Sequence, residues 1–368
     1  MTLRDSYEVA SETWYDLLFI DSTRYSQIQQ APYYAHKTMP AKLIDTFGRE
    51  IDYARLSVTD RCDFRCVYCM AEEMTFLPKA EILSLDELLR IASALIDSGI
   101  KKIRLTGGEP LIRNNIMWLI ESISKLEGLE ELTLTTNGSQ LSKYADDLRR
   151  CGIKRINISI DSLQADKFKA ITRTGQLQQV LKGIDAAIKA GFESIKLNSV
   201  ILKNRNDDEV LSLVDFARQK NIDIAFIEEM PMGDIVEHNR LLSFCSSDEL
   251  REIIDKEFNL IPSHKKTNGP AEYYSLANSQ THVGFISPHS HNFCGECNRI
   301  RVTVEGRLLL CLGNEHSVDL RSLLRNKEYS DEDLTQAIKK SMEIKPERHY
   351  FNLEEKPQIV RFMNTTGG

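Results

Sequence analysis

Six short segments read as strands, most of them alternating apolar with polar residues, and each is followed by a stretch with helical spacing. No other feature of the 368-residue chain restricts its fold as much. Residues 53–58, 101–106, 131–135, 154–160, 194–200 and 222–228 read as strands. Between the first two, Ser84 and Glu87 form a capping box, and Leu85, Leu88, Leu89, Ala92, Leu95 and Ile96 make an apolar stripe. Gly99 falls where a terminating glycine belongs. Val180, Leu181, Ile184 and Ile188, closed by Gly191, repeat the pattern. Helical crossovers of this length join parallel strands in a right-handed sense, which predicts a βα array of six units.

Parallel strands are normally apolar on both faces. Here Ile103 and Leu105 alternate with Lys102, Arg104 and Thr106, and Leu132 and Leu134 with Thr133 and Thr135. Ile156, Ile158 and Ile160 alternate with Asn157, Ser159 and Asp161, and Ile195 and Leu197 with Lys196 and Asn198. If the apolar face packs on helices, the polar face lines the inside of a curved sheet. The predicted fold class is therefore α/β, an incomplete (β/α)6 TIM-like barrel with a polar lumen. An antiparallel sheet with one wet face is the competing reading, and the intervening helices oppose it.

Cysteines carry the chemistry. Cys62, Cys66 and Cys69 follow the first strand in Cys-x3-Cys-x2-Cys spacing, and Cys294, Cys297 and Cys311 stand far downstream. An iron–sulfur cubane needs one ligand per iron, so three thiolates leave one iron open to a ligand that is not protein. Disulfides are disfavoured because no signal peptide precedes the cysteines and a chain of this length can stabilise itself by burial. Zinc stays open for the second triplet, since His289 and His291 lie just upstream. Cys151 and Cys245 read as packed core thiols.

Composition narrows the class. At 42% hydrophobic and 27% charged the chain is globular in type, with length for one barrel-sized domain or two smaller ones. No apolar run reaches the roughly 18 residues of a membrane helix. A formal charge of -7 argues against broad nucleic-acid binding, so an anionic ligand must be held by a few local cations. A cytoplasmic protein with no nucleic-acid or membrane partner is expected.

Polar motifs end the strands, where barrels of this type build their sites. Thr106-Gly107-Gly108-Glu109-Pro110 ends the second strand, Thr135-Thr136-Asn137-Gly138 the third, and Ser159 with Asp161 the fourth. Lys196 and Asn198 end the fifth and Glu229-Met230-Pro231 the sixth. The paired glycines are read as allowing close approach of backbone to a ligand.

Cys62 to Cys69 resembles the cluster loop of the radical S-adenosylmethionine superfamily, and Gly107-Gly108-Glu109-Pro110 resembles its methionine-contacting motif. From about Leu43 to Gly368 the chain is similar to one branch, the GTP 3′,8-cyclase family. Asp45-Thr46-Phe47-Gly48-Arg49, Arg55 to Cys62, Ile171-Thr172-Arg173-Thr174-Gly175, Cys294 to Arg301 and the terminal Gly367-Gly368 carry that likeness.

The resemblance implies a lyase that performs the first step of molybdenum cofactor (molybdopterin) biosynthesis. Two [4Fe-4S] clusters would sit on Cys62, Cys66 and Cys69 and on Cys294, Cys297 and Cys311. S-adenosyl-L-methionine would contact Tyr68, Gly108, Ser159 and Met230. GTP would contact Arg55, Arg104, Thr135, Lys196, Arg299, Ile300 and Arg301, its guanine resting on the open iron of the second cluster. Arg299 and Arg301, with the inserted tail Gly367-Gly368, would serve the chemical step. A 5′-deoxyadenosyl radical removes the ribose C3′ hydrogen, and the carbon radical attacks guanine C8. The family further implies a homodimer, an external reductant, and delivery of product to cyclic pyranopterin monophosphate synthase. Arginine forks suit a triphosphate of about four negative charges.

The expected organisation is an N-terminal extension over 1–41, poorly ordered, a barrel over 42–230, and a C-terminal region over 231–368 that carries the second cluster and a mobile Gly-Gly tail. Residues 1–38 depart from the family, and Met39 is an alternative start. Asp5, Glu8, Glu12, Asp16 and Asp21 make the extension too acidic for a mitochondrial leader. It is expected to contribute nothing to the chemistry. Two rival functions are a radical enzyme that modifies peptides and a non-catalytic iron or zinc sensor. In a sensor neither the wet lumen nor Gly107-Gly108-Glu109-Pro110 would have a purpose.

Overall fold

The strand pattern is realised in the computed structural model, which describes residues 42–235, 238–353 and 359–367. The expectations for residues 1–41 and for Gly368 lie outside these. β1 (Tyr53–Ser57), β2 (Lys102–Thr106), β3 (Glu131–Thr136), β4 (Arg155–Ser159), β5 (Ser194–Val200) and β6 (Asp223–Ile227) pair in parallel, each with the next. Helices α1 (Leu85–Asp97), α2 (Ile116–Ser124), α3 (Leu141–Arg150), α4 (Ala165–Thr172), α5 (Leu177–Lys189) and α6 (Val210–Lys220) make the crossovers.

Local chemistry fixes these elements. Ser84 and Glu87 close both halves of the capping box on α1, which ends at Ser98. Leu88, Ile91, Ala92, Leu95 and Ile96 of that helix are buried against the apolar strand face, including Ile103, Leu105, Leu134, Ile156, Ile158 and Leu197. Truncating one of these to alanine costs about 2–5 kcal/mol, because a close-packed layer leaves a cavity. Cys245 is buried in the same core, and Cys151 packs half-buried against it, as expected of thiols in a packing role.

The downstream region extends the same sheet. It adds β7 (Leu260–Pro262), β8 (Glu272–Leu276), β9 (His282–Ile286), β10 (Arg299–Val302), β11 (Arg307–Leu309) and β12 (Ser317–Asp319). β9 joins β6 in parallel and β10 joins β1 in parallel, so the six-unit array gains a parallel strand at each side. The order β12-β11-β10-β1-β2-β3-β4-β5-β6-β9-β8-β7 leaves the sheet open, a partial barrel rather than a closed one. Short helices α7 (Arg240–Ser243), α8 (Ser247–Phe258), α9 (Leu320–Arg325), α10 (Asp331–Ser341) and α11 (Met363–Thr366) complete the region. Among the described residues no helix is long and apolar enough to cross a membrane.

Candidate active site in the barrel lumen

One cavity of about 290 Å³ runs along the polar face of the sheet. Tyr53 and Arg55 of β1, Lys102, Arg104 and Thr106 of β2, and Thr135 of β3 line it. Asn157 and Ser159 of β4 and Lys196 and Asn198 of β5 continue the wall. The alternation in the sequence is therefore the wall of a wet lumen. All six cysteines of the two triplets also line this cavity, which places both candidate metal centres on one chamber.

The first triplet sits in the loop after β1. Burial pushes the thiols of Cys62, Cys66 and Cys69 up, Cys69 to about 12; Glu109 adds to this at Cys62, and Asp161 at Cys66 and Cys69. Three half-buried thiols held this far up ionise only when a cation compensates them, which is the donor chemistry a metal centre uses. The loop is braced from several strands. Arg65 and Val67 donate their amides to Thr172 O (2.9 Å) and Ile171 O (3.0 Å), and Asn137 Nδ2 reaches Cys62 Sγ (3.7 Å) and Asp63 Oδ1 (2.6 Å).

The Gly-Gly-Glu-Pro turn does more than approach a ligand. Gly108 donates to Thr59 O (2.7 Å), and a Cβ on it would overlap the Arg61 carbonyl. Its glycine therefore lets the turn lie on the cluster loop. Glu109 is fully buried and accepts from Asn137 N (2.6 Å), Thr136 Oγ1 (2.8 Å) and Leu111 N (2.9 Å). Burial outweighs these bonds and pushes its carboxyl up to about 7. Tyr68 donates to Asp161 Oδ2 (2.8 Å), and burial followed by Asp161 drives the phenol well up. Tyr68, Gly108, Ser159 and Met230 all face the lumen. Beside Met230, the Glu229 carboxylate receives His238 Nε2 (2.7 Å), Ser243 Oγ (3.0 Å) and Arg240 Nε (3.1 Å), a buried clamp that no sequence pattern announces.

The second triplet combines a 3-10 turn at Cys294–Glu296 with Cys311 beyond β11. Burial opposes ionisation of Cys297, but Arg299 and Lys345 outweigh it and hold the thiol at about 7. Lys345 Nζ donates to Arg299 O (3.1 Å) and approaches Cys297 Sγ (4.0 Å); it too went unmarked in the sequence. His289 turns Nε2 to the Glu229 carbonyl (2.9 Å), His291 turns to Asp248 (3.0 Å), and neither lines the cavity.

Between the triplets lies an excess of fixed positive charge. Arg55, Arg104, Arg299 and Arg301 face the cavity, and Ile300 lies among them. Burial, then Arg299 and Arg104, presses the Arg55 guanidinium down, with Tyr53 opposing, and Arg55 Nε is buried with no hydrogen-bond partner. Burial and the neighbouring Arg55 and Arg299 press Arg301 well down. Arg104 donates to Tyr53 Oη (2.5 Å) and Thr135 Oγ1 (3.3 Å). Such an arrangement stores repulsion that a polyanion relieves.

An α/β partial barrel with a three-cysteine loop after its first strand defines a radical S-adenosylmethionine enzyme, and the Radical SAM superfamily model matches residues 56–217. That superfamily binds a [4Fe-4S] cluster and S-adenosylmethionine, and the residues of the first triplet fit it. The Molybdenum Cofactor Synthesis C model matches residues 222–351. A GTP 3′,8-cyclase of Marinobacter nauticus is 59% identical over 89% of this chain and 99% of its own. That of Ectopseudomonas mendocina is 55% identical over the same shares. The chain belongs to the GTP 3′,8-cyclase family. Among solved structures, Streptococcus suis SuiB matches with a TM-score of 0.54 at 14% identity, over 74% of this chain and 64% of that one, just under two thirds of its length. That likeness concerns the fold alone.

Proposed function

We propose that this chain is a radical S-adenosylmethionine GTP 3′,8-cyclase that converts GTP to (8S)-3′,8-cyclo-7,8-dihydroguanosine 5′-triphosphate, the first step of molybdopterin formation. The observation that carries the reading is the group of four guanidinium ions that line the same cavity as two cysteine triplets.

Cys62, Cys66 and Cys69 would hold the first [4Fe-4S] cluster, and Tyr68, Gly108, Ser159 and Met230 would orient S-adenosylmethionine beside it. When bound, these groups supply the one-electron cleavage that starts the reaction. Cys294, Cys297 and Cys311 would hold a second [4Fe-4S] cluster facing the guanine. Arg55, Arg104, Thr135, Lys196, Arg299, Ile300 and Arg301 bind the nucleotide, the guanidinium ions taking the phosphates. Fixing the ribose and base in one orientation does most of the work, since positioning converts an improbable encounter into an intramolecular one. The buried walls keep water from the reacting carbon. Gly367 lies beside Arg301, and the Gly367-Gly368 tail would serve the chemical step as the family resemblance implies. The hydrogen lost from C3′ is balanced by one electron and one proton gained at the base, so the product is an isomer of GTP.

On this reading, residues 42–230 form the barrel that holds the cofactor and one side of the nucleotide site, and 231–368 carry the second cluster and the rest of the nucleotide contacts. An external reductant, a homodimer and transfer of product to cyclic pyranopterin monophosphate synthase complete it. Eight free cysteines suit the reducing cytoplasm. The test is an anaerobic assay of reduced, iron-reconstituted protein with S-adenosylmethionine and GTP, following 5′-deoxyadenosine and a product of GTP mass together. Cofactor cleavage indifferent to GTP would favour a peptide-modifying enzyme, and no cleavage would favour a sensor.

A further inference from the structure

The lumen wall carries Arg55, Arg104 and Lys196 and, at the strand starts, Lys102 and Arg155, and that far end holds an element that the cysteine loops do not explain. Lys102, Arg155 and Asp223 are the first residues of β2, β4 and β6, and all three line the cavity. This end lies opposite the first cysteine loop, which follows the last residue of β1. It is closed by Thr267, Asn268, Gly269 and Pro270, between β7 and β8. Most charges here are matched. Lys102 meets Glu131 (2.5 Å), Arg155 meets the same carboxylate (3.4 Å), and Lys265 meets Asp223 (2.5 Å), which His282 also contacts (3.2 Å).

Lys196 is different. Its Nζ donates to Tyr273 Oη (3.2 Å) and stands 5.7 Å from that ring's centre. Tyr273 is 3% exposed, and its hydroxyl is also 3.4 Å from Thr267 Oγ1. Lys265 stands 5.7 Å from the ring. Small residues make the space for the ring. Tyr273 pairs with Gly284 across β8 and β9, and Gly284 pairs with Ala225 of β6. A Cβ on Gly284 would lie 2.9 Å from Tyr273 Cε1. A buried phenol held between two ammonium groups, with a second hydroxyl beside it on the closing loop, makes two neutral donors for an anion that reaches the end of the chamber.

We infer that Tyr273 and Thr267 form a specificity-determining pair that reads the terminal phosphate of the nucleotide, Tyr273 also holding Lys196 in place. The inference deepens the proposed function and rests on Lys196 contacting the triphosphate. Two neutral donors at the end of a cationic channel add hydrogen bonds only for a chain long enough to reach them. The pair therefore distinguishes a nucleoside triphosphate from a diphosphate, while the arginines respond to both.

The test uses anaerobically reconstituted holoenzyme and measures equilibrium binding of GTP, GDP and GMP for wild type, Tyr273→Phe, Thr267→Ala and Lys196→Met, with steady-state KM and kcat alongside. Tyr273→Phe and Thr267→Ala are each expected to weaken GTP about tenfold, the loss of one charge-assisted hydrogen bond, and to leave GDP within about twofold. KM for GTP should rise with kcat little changed. Equal weakening of GTP and GDP, or GTP affinity unchanged in both variants, overturns the pair's role while leaving a Lys196→Met defect standing. Lys196→Met with wild-type affinity for all three nucleotides would remove the underlying reading as well. Iron content and circular dichroism matched to wild type identify folded variants, and Thr267→Ala, on a loop, preserves the test if the phenol proves structural.

Discussion

Arg301 donates from Nη1 to the main-chain carbonyl of Gly367, which ties the C-terminal segment to the guanidinium cluster in the lumen. Asn364 secures the same segment from the other side, donating Nδ2 to Asp60 O (2.8 Å) two residues before the first cysteine. The tail thus touches the cofactor side and the nucleotide side together.

Gly367 has φ of +75°, and a Cβ on it would overlap Thr106 Oγ1 and crowd the following turn. Gly367→Ala is expected to lift the tail off Thr106 and lower the rate of cyclic product formation by about tenfold or more, since small displacements at a positioning group are costly. Iron content should not change. Product quantified by mass spectrometry beside iron per chain checks this; a full rate with the tail altered would separate the tail from the chemistry.

The four lumen guanidinium ions favour function over stability. Removing one relieves repulsion in a buried place and needs no new partner, so Arg55→Met is expected to leave the nucleotide-free protein unchanged or more stable by about 1 kcal/mol. GTP affinity should fall about tenfold or more, because a buried phosphate contact is lost. Thermal denaturation with and without GTP measures both. A variant that is less stable without nucleotide and binds GTP normally would contradict the assignment of Arg55.

Much of this was legible because it is local and periodic. Lys102, Arg104 and Thr106 declared a lumen face by alternation, and β2 spans Lys102–Thr106 where 101–106 was read. The box of Ser84 and Glu87 fixed the start of α1. Other parts had no such signature. β9 and β10, five and four residues long, complete the parallel array from far downstream, and short strands give too few alternations to detect. Lys345 reaches Arg299 across 46 residues and Tyr273 reaches Lys196 across 77, contacts that exist only once the sheet has curved. The paired glycines were read for ligand approach, whereas at Gly108 it is the cluster loop that demands the space.

Tyr53 gives the lumen a pH dependence of definite sign. Burial would raise its phenol, but Arg104, Arg55 and Lys102 together outweigh burial and bring it from 10.0 down to about 6. Between those values the unfolded chain binds more protons than the folded one. Stability therefore builds as pH rises from about 6 to about 10, and this contribution is lost as pH falls through about 6, with a limiting slope of about 1.4 kcal/mol per pH unit. Tyr53→Phe should flatten that slope. Denaturant unfolding of the nucleotide-free protein from pH 6 to 9 reads it directly, and identical slopes for the two proteins would refute the ionised phenol.

The second triplet yields the prediction on which the reaction class turns. Cys297 differs from the first triplet in being held near neutrality by Arg299 and Lys345, so it presents a thiolate to metal without help from its sister cysteines. Cys294→Ala, Cys297→Ala and Cys311→Ala are each expected to lower iron from about eight to about four per chain after anaerobic reconstitution. GTP binding should weaken by about tenfold or more, while slow cleavage of S-adenosylmethionine persists on the first triplet, because the two centres draw on different cysteines. Lys345→Met should raise the Cys297 thiol and slow assembly of the second centre alone, leaving iron at Cys62, Cys66 and Cys69 intact. Iron and zinc analysis with electron paramagnetic resonance of the reduced protein distinguishes the outcomes. Zinc at the downstream thiolates, or eight irons retained in all three cysteine variants, would exclude a second iron–sulfur centre there, and the guanine would need another anchor.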